Sequence, residues 1–391
     1  MEGRIHIGLI GAGTMGTGIA QVAAQAGHPV LMFDTRPGAV EAALKGLHAT
    51  LEKLVAKGKF TRAEADALLG RIRPAAALGD LSSCGLTIEA IVENLDIKKK
   101  LFTQLEEILG ADAILASNTS SLAITAIAAA CEHPERVIGL HFFNPAPVMP
   151  LVEVVPGLLT APGLSERCAG LMRAWGKEPV TCKDTPGFIV NRVARPFYGE
   201  SIRIYEEGIA DMASIDQALK SVGGFRMGPF ELMDLIGNDI NLAVTRSVWE
   251  AFFYDPRYKP SLTQQRQVES GRLGRKTNQG YFDYSGSAAR TAPEVDPDLA
   301  HSITERVLAM LINEAADALF LQVASKEDLD LAMIKGVNYP KGLLAWADEK
   351  GAAYWSRKLD ALQAEYGEDR YRASPLLRRM ARTSAQFHGV K

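Results

Sequence analysis

Two residues near the middle of the chain, His141 and Glu153, have the types and spacing of a proton-transfer pair. His141 ends an apolar run at 136–141, and Glu153 follows twelve positions later within an apolar run at 151–155. An imidazole exchanges protons near neutral pH, and a carboxylate on an apolar strand is costly unless it has a partner. If the chain turns back around residues 145–150, Glu153 faces His141 and fixes its tautomer. The pair then acts as a general base and its orienting acid; the alternative is a structural histidine beside an edge-strand glutamate.

Two further polar residues are candidates for contacts with a substrate oxygen. Ser120 lies in a Ser/Thr-rich stretch at 117–121 that follows a predicted strand. Its hydroxyl either donates to a substrate oxygen or caps the next helix. Asn191 lies in the first turn of a predicted helix, where its amide either donates across a cleft or makes a cap or hinge contact. The residue types alone leave both alternatives open.

A glycine-rich turn near the N-terminus indicates a dinucleotide site. A predicted strand at 5–10 runs directly into Gly-Ala-Gly-Thr-Met-Gly, which is followed by a helical stretch. Gly11 permits the tight turn, Gly13 lets the main chain approach a pyrophosphate, and Gly16 allows close helix–sheet packing. Amides at the start of a helix favour phosphate charge. The cofactor contacts expected from this turn are Gly11, Gly13, Thr14, Met15 and Gly16.

An acidic residue at the end of the next strand indicates which dinucleotide is bound. Asp34 follows the apolar segment 29–33 and can accept hydrogen bonds from the 2′-hydroxyl of an adenosine ribose. A 2′-phosphate would meet its negative charge, so NAD is expected rather than NADP, although Arg36 nearby weakens this preference. The alternative is a glycine-rich turn that binds no nucleotide.

Composition excludes several classes of function. The chain has 391 residues, a net charge of -3 and 47% hydrophobic residues, so nucleic acid is not an expected partner. The four cysteines include no CxxC pair, which argues against a metal site or a disulfide framework and favours a reducing compartment. No apolar run approaches 18 residues, so no membrane span is expected. These features, with no signal peptide at the start of the chain, predict a cytoplasmic protein.

The order of predicted elements indicates an α/β fold. Strand and helix patterns alternate up to about residue 184, which predicts a Rossmann-like doubly wound parallel sheet. The predicted strands are 5–10, 29–33, 86–92, 113–116, 136–141, 151–155 and 179–182, and the predicted helices are 37–57, 97–109, 121–130 and 164–175. Thr61 and Glu64 have the spacing of a capping box that opens another helix. From residue 187 long helices dominate, beginning with 190–207 and 216–222.

The helical part contains an internal repeat. Shifting the chain by 114 positions matches at least nine identical residues over nearly fifty positions without a gap. The first members of these pairs are Ile189, Arg192, Val193, Glu200, Asp216, Ala218, Gly228, Asp234 and Gly237. With a small, polar linker at 285–293, this register predicts two tandem all-α domains. The predicted domains are 1–184 for nucleotide binding, 185–285 for the first helical copy and 286–391 for a degenerate second copy.

Four motifs in order resemble those of the 3-hydroxyacyl-CoA dehydrogenases. They are Asn-Thr-Ser-Ser at 118–121, His-Phe-Phe-Asn-Pro at 141–145, Leu-Val-Glu-Val-Val at 151–155 and Asp-Thr-Pro-Gly-Phe-Ile-Val-Asn-Arg at 184–192. The likeness continues through residues 227–232 and 274–277, so it covers about 1–284.

The resemblance implies reversible, NAD-dependent oxidation of a 3-hydroxyacyl-CoA to a 3-oxoacyl-CoA. It implies that His141 is the catalytic base, that Glu153 is its partner, and that Ser120 and Asn191 hold the hydroxyl and thioester oxygens of the substrate. The expected setting is fatty-acid β-oxidation or the breakdown of aromatic acids such as phenylacetate. Candidate substrates include short-chain thioesters such as 3-hydroxybutyryl-CoA, thioesters of longer fatty acyl chains, and the dicarboxylic 3-hydroxyadipyl-CoA.

The resemblance also implies contacts outside the reacting centre. Glu93, Lys98 and Asn118 match positions beside the cofactor, and Thr50 and Lys57 match a helix that receives the coenzyme A moiety. A solvated lysine on a basic helix face is the ordinary interpretation of Lys57.

The duplicated helical domain implies a particular assembly. Single-copy members of the family dimerise through this domain, whereas the larger fused enzymes resemble this chain in carrying two copies. The second copy is expected to be structural, because Glu305 occupies the position that corresponds to Asn191. We therefore expect a pseudo-dimer within one chain, with a homodimer still possible.

Two other functions are compatible with a dinucleotide fold. A dehydrogenase of free hydroxy acids would use a catalytic lysine and lack the motif at 141–145, and a non-catalytic NAD-sensing protein would not need His141 and Glu153 together. The sequence does not identify which acyl group is preferred. Arg195 and Arg226 are candidates to bind a distal carboxylate, although surface arginines are the ordinary interpretation.

Overall fold

The computed structural model describes residues 5–286 and 291–389, which form two compact units, Met1–Thr185 and Pro186–Lys391. The predicted linker at 285–293 contains residues 287–290, which lie outside the described residues, as do 1–4 and 390–391. Within the described ranges, no helix is long and apolar enough to cross a membrane.

An eight-stranded sheet forms the centre of the first unit. Its strands are β1 (Ile7–Ile10), β2 (Val30–Phe33), β3 (Ile72–Pro74), β4 (Leu86–Glu89), β5 (Ile114–Ser117), β6 (Val137–Phe142), β7 (Leu151–Pro156) and β8 (Glu178–Thr181). The spatial order is β3-β2-β1-β4-β5-β6-β7-β8, and β1 to β6 run parallel. This order of the first six strands is that of a dinucleotide-binding Rossmann fold, so the predicted fold class is confirmed.

The sheet is not parallel throughout, because the chain reverses between the strands that carry His141 and Glu153. Strand β7 runs antiparallel to β6, and β8 runs parallel to β7. The connection between β6 and β7 has only eight residues, 143–150, whereas a parallel crossover needs a dozen or more. The chain therefore turns back at this point and places His141 directly opposite Glu153.

Six helices connect and cover the strands of this unit. They are α1 (Thr14–Gln25), α2 (Ala39–Ala56), α3 (Arg62–Gly70), α4 (Leu95–Ile108), α5 (Ile124–Ala128) and α6 (Leu164–Ala174). The central strands are buried along their whole length, as expected where helices cover both faces of a sheet. The predicted capping box at Thr61 and Glu64 is present at the start of α3.

In the first unit, two predicted elements differ clearly from the structure in their bounds, and one strand was not predicted. The strand expected at 86–92 ends at Glu89, and the short edge strand β3 was not predicted. The helix expected at 121–130 begins only at Ile124, where the carboxylate of Asp184 accepts the amides of Ile124 and Thr125 at 3.0 and 2.7 Å. This cap comes from sixty residues along the chain, so local sequence could not reveal it.

The second unit is helical within its described residues. Its helices are α7 (Val190–Val193), α8 (Arg195–Glu206), α9 (Met212–Ser221), α10 (Pro229–Ile236), α11 (Asn238–Ala251), α12 (Leu262–Glu269), α13 (Pro297–Phe320), α14 (Lys326–Gly336), α15 (Leu343–Lys350), α16 (Ala352–Tyr366) and α17 (Pro375–Thr383). The single helix expected at 190–207 is divided at Ala194, because Pro196 in the first turn of α8 donates no main-chain hydrogen bond.

The two helical copies contain the same local device at corresponding positions. Asp216 accepts the second and third amides of α10 at 2.9 Å each, and Asp330 does the same for α15 at 2.8 and 2.9 Å. A Cβ on Gly228 or Gly342 would lie within 2.3 Å of the carboxyl carbon of that aspartate. The repeated aspartates and glycines therefore have one structural cause.

Reciprocal buried ion pairs join the two copies. Arg192 Nε donates to Glu314 at 2.6 Å, and Arg306 Nε donates to Glu200 at 2.7 Å. The shift of 114 positions converts one pair into the other. Each copy thus contributes one arginine and one glutamate to the contact between them. Such reciprocal pairing is the pattern of a two-fold dimer interface, here formed within a single chain.

Candidate active site

Strands β6 and β7 bring His141 and Glu153 into direct contact. The imidazole Nδ1 lies 2.6 Å from Glu153 Oε2, and the two residues are 6% and 0% exposed. Opposed residues on antiparallel strands present their side chains on the same face of the sheet. With Nδ1 donating to the carboxylate, the neutral ring presents Nε2 as its proton acceptor. The arrangement matches a general base with a buried orienting acid.

The segment after β5 supports the end of β6 beside this pair. Asn118 Oδ1 accepts the amide of Phe142 at 2.8 Å, and the amide of Asn118 donates to the carbonyl of Glu89 at 2.8 Å. The ring of Phe143 lies 4.5 Å from that of His141, measured between centroids. These contacts hold the histidine between neighbouring strand ends.

A single carboxylate organises the loop that carries Ser120. Glu93 Oε1 accepts the Thr119 hydroxyl at 2.6 Å, the Ser120 amide at 3.0 Å and the Ser121 hydroxyl at 3.0 Å. Burial alone raises the pKa of Glu93, but the charge of Lys98 and these hydrogen bonds outweigh it, so its pKa is lowered. Ser120 is therefore part of a loop held by Glu93 and lies three positions before Ala123, the N-cap residue of α5.

Lys98 binds carboxylates of this unit. Its side chain is 1% exposed, and Nζ lies 2.5 Å from Glu89 Oε1 and 3.4 Å from Glu93 Oε2. Glu89 also accepts the Ser117 hydroxyl at 2.7 Å. Sequence reasoning missed Glu89, although a carboxylate at the end of an apolar strand was a visible signal. The ammonium of Lys98 thus orients Glu93, and a direct contact of Lys98 with the cofactor remains only a prediction.

The glycine turn has the shape that a dinucleotide requires. Gly11 has φ +105°, and a Cβ there would lie 2.5 Å from the carbonyl oxygen of Ala90. A Cβ on Gly16 would lie 1.8 Å from the Gly11 oxygen, whereas one on Gly13 would meet open space. Helix α1 begins after Gly13 without a side-chain cap, so its first amides remain available to phosphate oxygens. The turn fits a pyrophosphate, and Thr14 and Met15 are the residues that open the helix.

Asp34 lies against the glycine turn. Its Oδ2 accepts the amide of Ala12 at 2.8 Å, and the Arg36 guanidinium contacts both oxygens at 3.1 and 3.2 Å. The hydrogen bond from Arg36 lowers the pKa of Asp34 to about 2. The carboxylate is therefore ionised at neutral pH. The amide of Ala12, in the turn that would hold the phosphates, fixes its orientation.

We predict that Asp34→Ala weakens the preference for NAD over NADP. The change removes the negative charge that opposes a 2′-phosphate and releases the Arg36 guanidinium to bind one. The ratio of kcat/KM for the two cofactors should fall roughly 10- to 100-fold, the range for a charged hydrogen bond. Initial rates with each cofactor measure it. Asp66→Ala, on the exposed side of α3, is the control, and an unchanged ratio in Asp34→Ala would exclude this role.

The two residues expected to receive coenzyme A lie on the surface at the C-terminal half of α2. Thr50 is exposed and donates to the Gly46 carbonyl at 3.0 Å, and Lys57 is exposed immediately after the helix. Their exposure is compatible with phosphate binding, and their role remains a prediction.

Asn191 lies in α7 of the helical unit and is half-buried. Its carbonyl accepts Arg195 Nε at 2.9 Å. At the corresponding position of the second copy, Glu305 binds Lys350 Nζ at 2.6 Å and Lys358 Nζ at 3.3 Å. The second copy thus contains a cluster of ion pairs where the first contains an amide.

Two family models account for most of the chain. The model of the 3-hydroxyacyl-CoA dehydrogenase NAD binding domain matches residues 6–185, and the model of the C-terminal domain matches residues 187–284 and 303–386. The chain belongs to the 3-hydroxyacyl-CoA dehydrogenase family. It is an NAD-dependent oxidoreductase, and this prediction from the motifs is confirmed.

The matches to individual relatives extend over either nearly the whole chain or about three quarters of it. The chain is 42% identical to the 3-hydroxyadipyl-CoA dehydrogenase of Escherichia coli K12, over 96% of this chain and 97% of that protein. It is 41% identical to the 3-hydroxybutyryl-CoA dehydrogenase of Clostridioides difficile, over 72% of this chain and all of that protein. A crystal structure of 3-hydroxybutyryl-CoA dehydrogenase from Escherichia coli K12 superposes with a TM-score of 0.92 at 41% identity, covering 98% of this chain and 99% of that one.

Proposed function

We propose that His141 and Glu153 are the catalytic pair with which this dehydrogenase oxidises (S)-3-hydroxyacyl-CoA to 3-oxoacyl-CoA. The observation that carries the proposal is the buried 2.6 Å contact between the two side chains. His141 Nε2 takes the proton from the C3 hydroxyl, and the adjacent carboxylate stabilises the imidazolium that forms. Their burial strengthens this interaction, because the local dielectric constant is lower than that of water. In the reverse direction, the imidazolium returns the proton.

The glycine turn, Asp34 and the loop around Glu93 are the parts of the first unit proposed to hold NAD. Bound NAD supplies the acceptor for the hydride that leaves C3. The open approach at Gly13 and the uncapped start of α1 support phosphate binding. Asn118, which fastens the ends of two strands, is proposed to contact the cofactor beside His141.

Two neutral donors are proposed to position the substrate. The Ser120 hydroxyl holds the oxygen on C3, and the Asn191 amide holds the thioester oxygen. The hydrogen bonds to Glu93 fix the Ser120 loop before the substrate binds, which lowers the ordering required during the reaction. Thr50 and Lys57 are proposed to contact the coenzyme A moiety.

We infer that the acyl group is short or dicarboxylic. Relatives named for 3-hydroxyadipyl-CoA and for 3-hydroxybutyryl-CoA have nearly the same sequence identity to this chain, 42% and 41%. The two names support a dicarboxylic or a short acyl group.

The test is NADH oxidation with a panel of 3-oxoacyl-CoA thioesters of varied length and terminal charge, together with the matching free acids. Turnover of the thioesters but not of the free acids is expected. Turnover of the free acids alone would favour the free hydroxy-acid alternative, and no turnover of any member would favour a non-catalytic NAD-binding protein.

We propose that the second helical copy replaces the partner subunit of single-copy relatives. The reciprocal pairs of Arg192 with Glu314 and Arg306 with Glu200 support a two-fold interface within the chain. On this proposal the domains are 1–184, 185–285 and 286–391, and a further homodimer would use another surface.

Sedimentation measures this prediction. A particle of one chain, 42.3 kDa, is expected, or a dimer that withstands surface substitutions on the first copy. A stable dimer joined through the first helical copies would contradict the proposal.

We also propose a cytoplasmic location, because no disulfide joins any of the four cysteines within the described residues.

A further inference from the structure

A buried arginine faces a cavity inside the helical unit. Arg195, at the start of α8, is 8% exposed and lines a cavity of about 420 Å³. Its Nε donates to the Asn191 carbonyl at 2.9 Å, and Nη1 donates to the Thr245 hydroxyl at 3.2 Å. The guanidinium also lies over the ring of Tyr198, 4.9 Å from its centroid. All of these partners are neutral.

Arg195 differs in this respect from the other arginines of the cavity. Their ion pairs join Arg203 to Glu200 at 3.5 Å, Arg370 to Glu368 at 3.4 Å, and Arg257 to Asp255, Asp317 and Glu314 at 3.2, 3.1 and 3.5 Å. Among the residues that the structure describes, Arg195 has no carboxylate within 4 Å. A buried charge is costly unless an opposite charge accompanies it. The site therefore lacks an anion that a ligand can supply.

Uncharged donors and acceptors surround the same part of the cavity. Gln264 Nε2 donates to Asn241 Oδ1 at 2.7 Å and to the Thr245 hydroxyl at 3.1 Å. Gln264 and Thr245 are 3% and 8% exposed. The Thr245 hydroxyl accepts both Arg195 Nη1 and Gln264 Nε2 and donates to the Asn241 carbonyl at 2.8 Å, so this network holds Thr245 next to Arg195 through neutral groups alone.

We propose that Arg195 binds the terminal carboxylate of a dicarboxylic 3-hydroxyacyl-CoA and so determines specificity for that substrate class. This proposal rests on the proposed function, in which the Asn191 amide holds the thioester oxygen. Residues four apart on a helical path have Cβ atoms about 5–6 Å from one another. In a six-carbon dicarboxylic acyl group, five carbon–carbon bonds separate the thioester carbon from the terminal carboxyl, roughly 6 Å when extended. The 2.9 Å contact of Arg195 Nε with the Asn191 carbonyl places the guanidinium beside Asn191, so an acyl group of this length can reach both residues.

Burial distinguishes Arg195 from the other arginine considered for this role. Arg226 is exposed and lies between α9 and α10, where solvent already satisfies its charge. Arg226→Gln is thus a matched control for Arg195→Gln, because both remove one guanidinium of the first helical copy.

The test compares oxidation of 3-hydroxyadipyl-CoA and 3-hydroxyhexanoyl-CoA, which have the same chain length and differ in the terminal carboxylate. In Arg195→Gln, kcat/KM for the dicarboxylic substrate should fall roughly 10- to 100-fold, the range for a lost charge-assisted hydrogen bond. The value for 3-hydroxyhexanoyl-CoA should remain at the wild-type level. Arg195→Lys should retain part of the preference, since it keeps the charge but loses the planar fork. Arg226→Gln should change neither value.

Four outcomes would overturn the proposal. Equal losses for both substrates in the Arg195 variants would assign the residue a structural role. An unchanged preference in Arg195→Gln would place the carboxylate elsewhere. If the wild-type enzyme oxidises the two substrates with equal kcat/KM, it has no preference for the dicarboxylic substrate. That result would contradict the proposed specificity but not the proposed function. If the wild-type protein oxidises neither thioester, the proposed function itself fails and this proposal fails with it.

Discussion

The variant His141→Gln should lose about 10²- to 10⁴-fold in kcat, the usual contribution of a positioned general base. Glutamine retains a polar side chain of similar reach but cannot take up the proton of the C3 hydroxyl. NADH affinity should stay at the wild-type level, because the expected cofactor contacts lie in the glycine turn and around Glu93. Initial rates at saturating substrate, together with a fluorescence titration of NADH, measure both quantities.

The chain offers a matched control for this substitution. His28 is also buried in the first unit, where Nδ1 contacts the Ile5 carbonyl at 3.1 Å and the ring packs on Trp175. His28→Gln should reduce stability and leave the turnover of folded enzyme unchanged. Glu153→Gln should lower kcat as well, because it removes the charge that stabilises the imidazolium. Full residual turnover in His141→Gln would remove that residue from the mechanism.

The variant Glu314→Ala should destabilise the helical unit by about 3–5 kcal/mol, the cost of breaking a buried ion pair. Glu314 is 2% exposed and accepts Arg192 Nε at 2.6 Å and the Tyr258 hydroxyl at 2.5 Å. Its removal leaves the buried Arg192 guanidinium without one of its two carboxylate partners. Glu200→Ala should cost a similar amount, because Arg306 occupies the corresponding place. Chemical denaturation followed by tryptophan fluorescence measures the change.

An exposed ion pair supplies the comparison for this prediction. Glu269 contacts Arg266 at 2.7 Å on the surface of α12, and Glu269→Ala should change the free energy of unfolding far less than Glu314→Ala, because solvent screens an exposed pair. A similarly small cost for Glu314→Ala and Glu200→Ala would show that the reciprocal pairs do not hold the two copies together.

The stability of the same interface should depend on acidity. Burial raises the pKa of Glu314, but the charges of Arg192 and Arg257 outweigh it and lower its pKa below the ordinary 4.5. A carboxylate with a lowered pKa in the folded state stabilises the protein above its unfolded pKa. This contribution should be lost as the pH falls from 4.5 through the lower folded pKa. Glu314→Gln should show a weaker dependence in that interval, and an unchanged acid profile would contradict the assignment.

Local patterns were sufficient to predict that His141 and Glu153 would face each other if the chain reversed between them. The apolar runs around the two residues indicated two strands, and the chain does turn back in the short segment that joins them. The glycine turn and Asp34 could be predicted for the same reason, because each step from strand to turn to helix has its own residue signature. The gapless shift of 114 positions likewise predicted a duplicated helical fold.

Contacts between distant segments could not be predicted in this way. Glu89 and Lys98 meet because β4 ends beside the start of α4, and Asp184 caps α5 from the far end of the unit. The repeat matched Arg192 with Arg306, but it could not show that each arginine pairs with a glutamate of the opposite copy. Such partners depend on how the elements pack, which is why sequence reasoning predicted the contact of His141 with Glu153 but not these long-range contacts.

Deuterium transfer from C3 of a 3-hydroxyacyl-CoA during a single turnover with NAD tests most directly whether His141 is the general base. We predict that the wild-type protein transfers the deuterium to the nicotinamide and that His141→Gln, with both ligands bound, does so at least about 100-fold more slowly. Stopped-flow absorbance gives the rates, and mass spectrometry of the reduced cofactor gives the label. Transfer at the wild-type rate in His141→Gln, or reduced cofactor without deuterium, would contradict it.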